Sequence, residues 1–330
     1  MSESSSVKRS IITGVGSFLP GEPVSNVELE KTIDTSDEWI KKRTGIERRH
    51  IAAKGVSTSD MAVEAAKQAL EHGGYRPADI DGIIVATTTP DQTFPAVAAT
   101  VQARLGVPIC PAFDVQAVCS GFVYALSVAD SLIRTGQSKR MLVIGAEKMT
   151  SLLDWNDRTT CVLFGDGAGA IVLELDEQGQ GSIDDRGVIS THLFANGELK
   201  DILYVDGGPS TTGQVGHLIM EGREVFRYAV EYMADVVQKT LDHNKIQASN
   251  IDWLIPHQAN IRIIAATAKK LDLPMEQVVL TVADHGNTSA ASIPLALSAA
   301  VHDGRIKKGD LLLLEALGGG LTWGAALIRF

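Results

Sequence analysis

Apolar positions along this chain alternate between two periods. Short β-branched and aliphatic runs, bounded by Gly, Pro or Asp, predict strands over residues 10–15, 82–88, 112–115, 140–146 and 168–175. A second series is predicted over 253–256, 278–281, 311–316 and 325–330. Between them, helical spacing predicts helices over 26–33, 59–72, 95–105, 122–135, 221–244, 260–271 and 289–301. Ser57 to Asp60 offer N-cap residues for the second of these. Strand-like runs alternating with helical ones point to α/β architecture.

The same elements recur at an offset of about 170 residues. Ile80-Asp81-Gly82-Ile83-Ile84 is echoed by Ile251-Asp252-Trp253-Leu254-Ile255, and Ala125-Leu126-Ser127 by Ala296-Leu297-Ser298. Met141 to Ala146 is echoed by Leu311 to Ala316. Each pair is weak alone, but all three keep order and offset. The reading is two duplicated α/β halves, 1–180 and 181–330, joined near 179–187. Matching strand ends would then meet at a shared central site.

Composition narrows the function classes. The 330 residues are 45% hydrophobic and 21% charged, ordinary for a globular protein. No apolar run approaches the roughly 20 residues needed to span a bilayer. Residues 1–10 are Ser-rich without an apolar core, so they read as a frayed end and not a secretory signal. Cytoplasmic location is the expectation from those missing signals. Cys110, Cys119 and Cys161 lack CxxC spacing and a nearby His pair, which argues against a metal site or a disulfide framework. The net charge of −10 argues against a bulk nucleic-acid binder.

Cys119 carries the first candidate chemistry. The strand-like Phe113-Asp114-Val115 leads through Gln116-Ala117-Val118 to Cys119-Ser120-Gly121-Phe122 and a long apolar helix. A thiol at a helix N-terminus meets unpaired N–H groups that favour its thiolate. The alternative is a buried core cysteine. His257, in Pro256-His257-Gln258-Ala259-Asn260, and Asn287, in His285-Gly286-Asn287-Thr288-Ser289, are read as also lying past a strand and before a helix. Core packing and turn chemistry are their bland alternatives. Together the three make a workable thioester set. Cysteine attacks a carbonyl and holds the acyl group, while a neutral His and an amide donate to an enolate oxygen without a metal. Gly318-Gly319-Gly320 precedes the last strand and can bring backbone N–H groups close to a ligand, or simply make a hairpin. Phe164-Gly165-Asp166-Gly167-Ala168-Gly169 fails dinucleotide spacing and reads as a structural turn.

These motifs, with Asp37-Glu38-Trp39-Ile40 and Arg43-Thr44-Gly45-Ile46, resemble the thiolase superfamily and, within it, the β-ketoacyl-acyl-carrier-protein synthase III family. The resemblance runs from Ile11 to the end. It implies a five-layered αβαβα fold of two similar halves. It implies Cys119, His257 and Asn287 as catalytic residues, with the N–H groups of Cys119 and Gly319 as oxyanion hole. A Cys-His-Asn set is the pattern of initiating synthases, whereas thiolases carry Cys-His-Cys and elongating synthases Cys-His-His. The implied reaction moves an acyl group, typically acetyl, from coenzyme A to Cys119. Decarboxylative condensation with malonyl-acyl-carrier protein then gives a 3-oxoacyl product and CO2. No cofactor is implied, since acyl-CoA is a substrate.

By the same resemblance, Trp39 and Arg158 sandwich the adenine of coenzyme A, and Thr35, Arg43 and Asn260 line its channel. Phe94 reaches into a partner's acyl pocket in a homodimer, with Met149 and Phe164 walling the chain's own pocket. Arg227, Arg262, Lys269 and Lys270 form a basic docking patch for the acidic carrier. The chain departs from the family pattern at Leu321, where Phe is usual, and at Val118, where Ala is usual. Two rivals remain: a relative serving a secondary pathway with another starter or acceptor, and a scaffold protein that has lost its chemistry. The complete set of Cys119, His257, Asn287 and the Gly-rich loop argues against the second.

Overall fold

The computed structural model describes residues 6–330. Two sheets share one plan. The first runs, in spatial order, Val7–Phe18, Asp166–Gly179, Arg140–Lys148, Gly82–Ala86 and Ala112–Val115. Its first two pairings are antiparallel and its last two parallel. The second runs Gly187–Ala195, Thr322–Arg329, Leu311–Gly318 and Trp253–Pro256, with two antiparallel pairings and then a parallel one. A lone parallel bridge, Leu254 to Val278, stands where a fifth strand would lie. The two sheets thus repeat each other in order and direction.

Helices fill three layers around these sheets, which gives the five-layered arrangement. Thr58–Gly73 and Val97–Leu105 cover the outer face of the first sheet. Gly121–Arg134 and Ser292–His302 lie between the sheets and touch both. Gly222–Asn244 and Ile261–Lys270 cover the outer face of the second sheet. The middle layer is buried on all sides, so its helices are apolar around most of their circumference. Ser57 caps Thr58–Gly73 reciprocally with Asp60, as the sequence reading proposed. Chain from the first series also crosses over: Ile40, Ile46, Met149 and Phe164 pack into the core on the outer side of the second sheet.

Several elements differ from expectation. Residues 7–10 are not frayed; they begin the edge strand Val7–Phe18, and residues 1–5 lie outside the described region. The helix expected over 26–33 stops at Leu29 after one turn. The helix Asp37–Thr44 was missed because its mean composition is polar; Ser36 caps it and Gly45, at φ 77°, ends it. The strand Gly187–Ala195 was also missed. The strand expected over 278–281 is one bridge residue, because the Gln258 side chain takes the backbone bonds beyond it. Its Nε2 donates to Val279 O (3.0 Å), and its Oε1 accepts from Thr281 N (2.8 Å) and Val282 N (3.0 Å).

The middle layer is packed too tightly for side chains at its glycines. A Cβ on Gly145 would lie 2.3 Å from Ala290 O. Gly145→Ala is therefore expected to cost about 2 kcal/mol and lower the thermal midpoint by several degrees. Gly197→Ala, with nothing within 4 Å of the new methyl, should leave the midpoint nearly unchanged in the same melting experiment.

Candidate active site

The site forms where the parallel strands of both sheets end. Ala112–Val115 delivers the turn Val118–Ser120, which runs straight into Gly121–Arg134. Val118 sits at φ 48°, a left-handed conformation that tightens the turn carrying Cys119. Across the repeat, the turn Ser289–Ala291 leads into Ser292–His302, and Ser289 also sits at φ 48°. Ala290 holds the place that Cys119 holds in the first turn. The repeat therefore built two matching elbows, and only one carries sulfur. The end of Leu311–Gly318 closes over Cys119: a Cβ on Gly318 would lie 2.6 Å from Cys119 N.

His257 follows directly on Trp253–Pro256, and Asn260 caps the next helix, Ile261–Lys270. Asn287 does not follow a strand, as the sequence reading had it; it follows the short helix Val282–His285. Backbone bonds fix it: Asn287 N donates to Leu163 O (2.8 Å) and Gly165 N donates to Asn287 O (3.0 Å). Cys119, His257 and Asn287 line one cavity of about 790 Å³, and all three are buried.

Neighbouring hydroxyl and amide groups set which donors remain free. Gln258 N donates to Ser292 Oγ (3.3 Å), and Ser292 Oγ lies 2.6 Å from His257 Nδ1. His257 Nδ1 is the one acceptor that the Ser292 hydroxyl has among the described residues, so Ser292 gives its proton to Nδ1 and the imidazole proton is assigned to Nε2. Ser289 N donates to Asn287 Oδ1 (2.9 Å), which leaves the Asn287 Nδ2 hydrogens for the cavity. Both side chains are thus held as donors.

Burial governs the charges. It pushes the His257 imidazole down to about 3, so the ring is neutral. It pushes the Cys119 thiol up to about 12, opposed by the Ser289 hydroxyl. Desolvation thus opposes the thiolate that the N-terminus of Gly121–Arg134 favours. Two buried carboxyls went unnoticed in the sequence. Glu147 is pushed up to about 7 by burial and Glu315 to about 8. Each breaks an otherwise apolar strand, which is the signal that could have found them.

The remaining candidates divide into cavity and surface. Trp39, Arg43, Asn260, Met149, Phe164 and Arg262 line the cavity with Cys119. Gly319 instead lines an adjoining cavity of about 1060 Å³, which shares Val118 and Met149 with the first. Arg43 lies over the Trp39 ring at 4.6 Å, and Arg158 at 5.8 Å while also donating to Asp34 O (2.9 Å). Asn260 Nδ2 donates to Arg43 O (3.0 Å), so its amide also fixes the wall. Thr35 is half-buried and off the cavity wall, with Oγ1 unpartnered among the described residues. Phe94 is 82% exposed on this chain's surface and does not line its own cavity. Arg227, Lys269 and Lys270 are exposed outside the cavity; Arg227 pairs with Glu224. Leu321 is fully buried in the apolar core outside the second sheet, whereas Val118 is half-buried and lines both cavities. Phe164 to Gly169 is not the turn the sequence suggested: from Asp166 it belongs to the strand Asp166–Gly179, where Asp166 accepts from Ala52 N (2.8 Å) and Thr150 N (2.9 Å).

Comparisons with known proteins agree along the chain. A family model described as 3-Oxoacyl-[acyl-carrier-protein (ACP)] synthase III matches residues 113–197, and one for that family's C terminal matches residues 241–330. A beta-ketoacyl-[acyl-carrier-protein] synthase III of Allorhizobium ampelinum is 62% identical over 322 residues, covering 98% of this chain and 99% of that protein. One of Rhodospirillum centenum is 60% identical over 322 residues, covering 98% of this chain and 99% of its own. The crystal structure of 3-oxoacyl-[acyl-carrier-protein] synthase III from Aquifex aeolicus VF5 matches with a TM-score of 0.91 at 46% identity, covering 97% of this chain and 100% of that one. The architecture and these matches define a protein of the thiolase fold. Within that class, the chain belongs to the β-ketoacyl-acyl-carrier-protein synthase III family.

A neutral, buried His257 has a consequence for stability. Unfolded, the ring takes a proton below about 6.5; folded, it does so only near 3. Stability is therefore full above about 6.5 and falls as pH drops toward 3, by up to about tenfold in the folding constant per pH unit. His257→Gln should remove that one-proton slope, while the slope from His285, also pushed down by burial, persists. Denaturant midpoints measured at neutral and mildly acidic pH check this; equal slopes in variant and wild type would contradict it.

Proposed function

We propose that this chain is a condensing acyltransferase that initiates type II fatty acid synthesis. The observation that carries the reading is the pair of tied-back donors beside one buried sulfur: His257 Nδ1 on Ser292, Asn287 Oδ1 on Ser289. An acyl-CoA, acetyl in the first instance, enters past Trp39 and Arg43, and Cys119 attacks its carbonyl carbon. A new carbon–sulfur bond forms to Cys119, the bond to the coenzyme sulfur breaks, and the coenzyme leaves as its thiol. The N–H groups of Cys119 and Gly319 hold the oxyanion between the two. A flat adenine placed between Trp39 and Arg158 requires Arg158 to swing outward from its 5.8 Å position, which its exposed pairing with Asp34 allows.

Malonyl-acyl-carrier protein follows. His257 Nε2–H and Asn287 Nδ2–H donate to its thioester oxygen, which becomes an enolate as CO2 leaves. Both donors are neutral and already oriented, so the charge develops in a dry site without reorganisation. The carbanion then attacks the acyl-Cys119 carbonyl and releases the sulfur, giving the 3-oxoacyl product. Decarboxylation generates the nucleophile, so no strong base is needed at this step. The chemistry as written draws on no cofactor.

The acidic carrier docks on Arg262, at the cavity wall, with Arg227, Lys269 and Lys270 extending the positive face. The assembly is a homodimer in which Phe94 enters the partner's acyl pocket. Its 82% exposure beside the 1060 Å³ cavity leaves the ring free to make that contact. The halves 1–180 and 181–330 contribute Cys119 and the His257–Asn287 pair respectively. The protein acts in the cytoplasm; no helix among the described residues is long and apolar enough to cross a membrane.

Intact-mass spectrometry after incubation with acetyl-CoA tests the reading. Wild type should gain one acetyl group and Cys119→Ser none. Asn287→Ala should still acetylate at a similar rate but lose malonyl decarboxylation by about 10²–10³-fold, the usual effect of one oxyanion donor. No adduct on either protein, or equal loss of both half-reactions in Asn287→Ala, would contradict the assignment.

A further inference from the structure

Asn287 is fixed through its backbone, so whatever holds that backbone also aims its amide. Leu163 O and Gly165 N bond it, and Phe164 and Asn287 form a lone parallel bridge. Beside this bridge runs the short antiparallel pair Val24–Ser25 and Arg48–Arg49. Asp166 N donates to His50 O (2.9 Å), which lays the end of that pair along the same segment. Arg49 is only 1% exposed, a long cationic side chain in the interior. Its guanidinium is shared among three neutral oxygens. Nη2 donates to Val162 O (2.8 Å), and Nη1 donates to Asn26 Oδ1 (2.8 Å) and Val24 O (3.3 Å). Burial draws it down to about 10, so the group keeps its charge at neutral pH.

The stem of Arg49 packs where its head holds. A Cβ added to Gly165 would lie 3.0 Å from Arg49 Cβ, and one added to Gly286 would lie 3.2 Å from it. Both glycines belong to the bridge: Gly165 N bonds Asn287 O, and Gly286, at φ 65°, directly precedes Asn287. Arg49 Cβ therefore lies against both sides of the bridge, while the guanidinium fixes the carbonyl one residue before Leu163. A charge buried on neutral oxygens, with Nε unpartnered among the described residues, is costly to stability. Apolar packing of similar volume commonly holds a core as well or better. Placement of the bridge, and not stability, accounts for an arginine here.

We propose that Arg49 is a positioning residue for malonyl decarboxylation: through residues 162–165 it holds Asn287 where the amide meets the developing enolate oxygen. The inference rests on the role given to Asn287 above. A planar guanidinium with forked donors fixes the pieces it joins relative to one another, which a single ammonium does not. Acyl transfer to Cys119 makes no use of the Asn287 amide, so it is spared. The same guanidinium holds Asn26, whose Nδ2 donates to Ile46 O (2.7 Å) and Asp37 Oδ1 (3.0 Å). Asp37 opens the helix Asp37–Thr44, which brings Trp39 and Arg43 to the cavity. One buried cation thus joins the enolate donor to the wall past which the acyl donor enters.

The test measures the two half-reactions separately, well below each variant's melting midpoint. Acetylation of Cys119 at saturating acetyl-CoA is followed by intact mass, and decarboxylation by CO2 release from saturating malonyl-acyl-carrier protein. Arg49→Met should lower decarboxylation by about 10- to 10²-fold, the scale set by a displaced reacting group, and change acetylation by less than about threefold. Arg49→Lys keeps the charge without the fork and should recover part of that loss. Added to Asn287→Ala, Arg49→Met should cause no further loss of decarboxylation, because both act on one donor. A cooperative melt qualifies each variant; if Arg49→Met fails it, Arg49→Lys decides, alone and combined with Asn287→Ala. Equal loss of both half-reactions, unchanged decarboxylation, or a fully multiplied loss in the double variant would overturn the proposal. Wild-type decarboxylation in Asn287→Ala would instead sink the role of Asn287 itself.

Discussion

Desolvation of the cavity around Cys119 is the constraint on which the rest depends. It holds His257 uncharged, pushes the Cys119 thiol up and raises the carboxyls of Glu147 and Glu315 far above their ordinary range. A charged imidazole would bind a malonyl carboxylate as a salt and resist its departure. In the proposed reaction a neutral one, proton on Nε2, would favour the enolate oxygen over the starting carbonyl. The same dryness makes each donor stronger and each unpartnered charge more costly. Function and stability are therefore set by one quantity, the absence of water around a handful of polar atoms.

Duplication explains how one cavity acquires parts from distant sequence. The two sheets repeat in order and direction, and their elbows meet in the middle layer. There Gly121 would bring a Cβ within 3.4 Å of the Ala290 methyl, so the elbows are in direct packing contact. One elbow carries the sulfur. The other offers Ala290 at the matching place. His257, Gln258 and Ser292 form a second unit in which each hydrogen bond sets the direction of the next. Replacing Ser292 removes the partner of His257 Nδ1 and so bears on where the imidazole proton sits, not only on local packing.

Much of this was legible in the sequence. The long apolar runs located the central strands and the two middle helices within a few residues, because a strand or helix buried on all sides leaves a continuous signal. The repeat offset anticipated two matching sheets. The motifs around Cys119, His257 and Asn287 located the side chains that share the cavity. Three things were not legible. Asp37–Thr44 is a polar helix whose order comes from its caps, so periodicity gives no warning. The expected strand over 278–281 is replaced by one glutamine side chain, a long-range substitution that no local pattern records. The sign of the Cys119 shift depends on total burial, which spacing cannot report; the helix N-terminus is local and visible, while the layers that exclude water are not.

The most direct measurement is the ionisation of Cys119 itself, read as the ultraviolet thiolate absorbance of wild type minus Cys119→Ser across a pH titration. The account expects no thiolate step below about pH 9, because burial holds the thiol near 12 in the absence of acyl donor. A complete step below the ordinary cysteine value of about 8.5 would contradict it, and would return activation of the sulfur to the helix N-terminus alone.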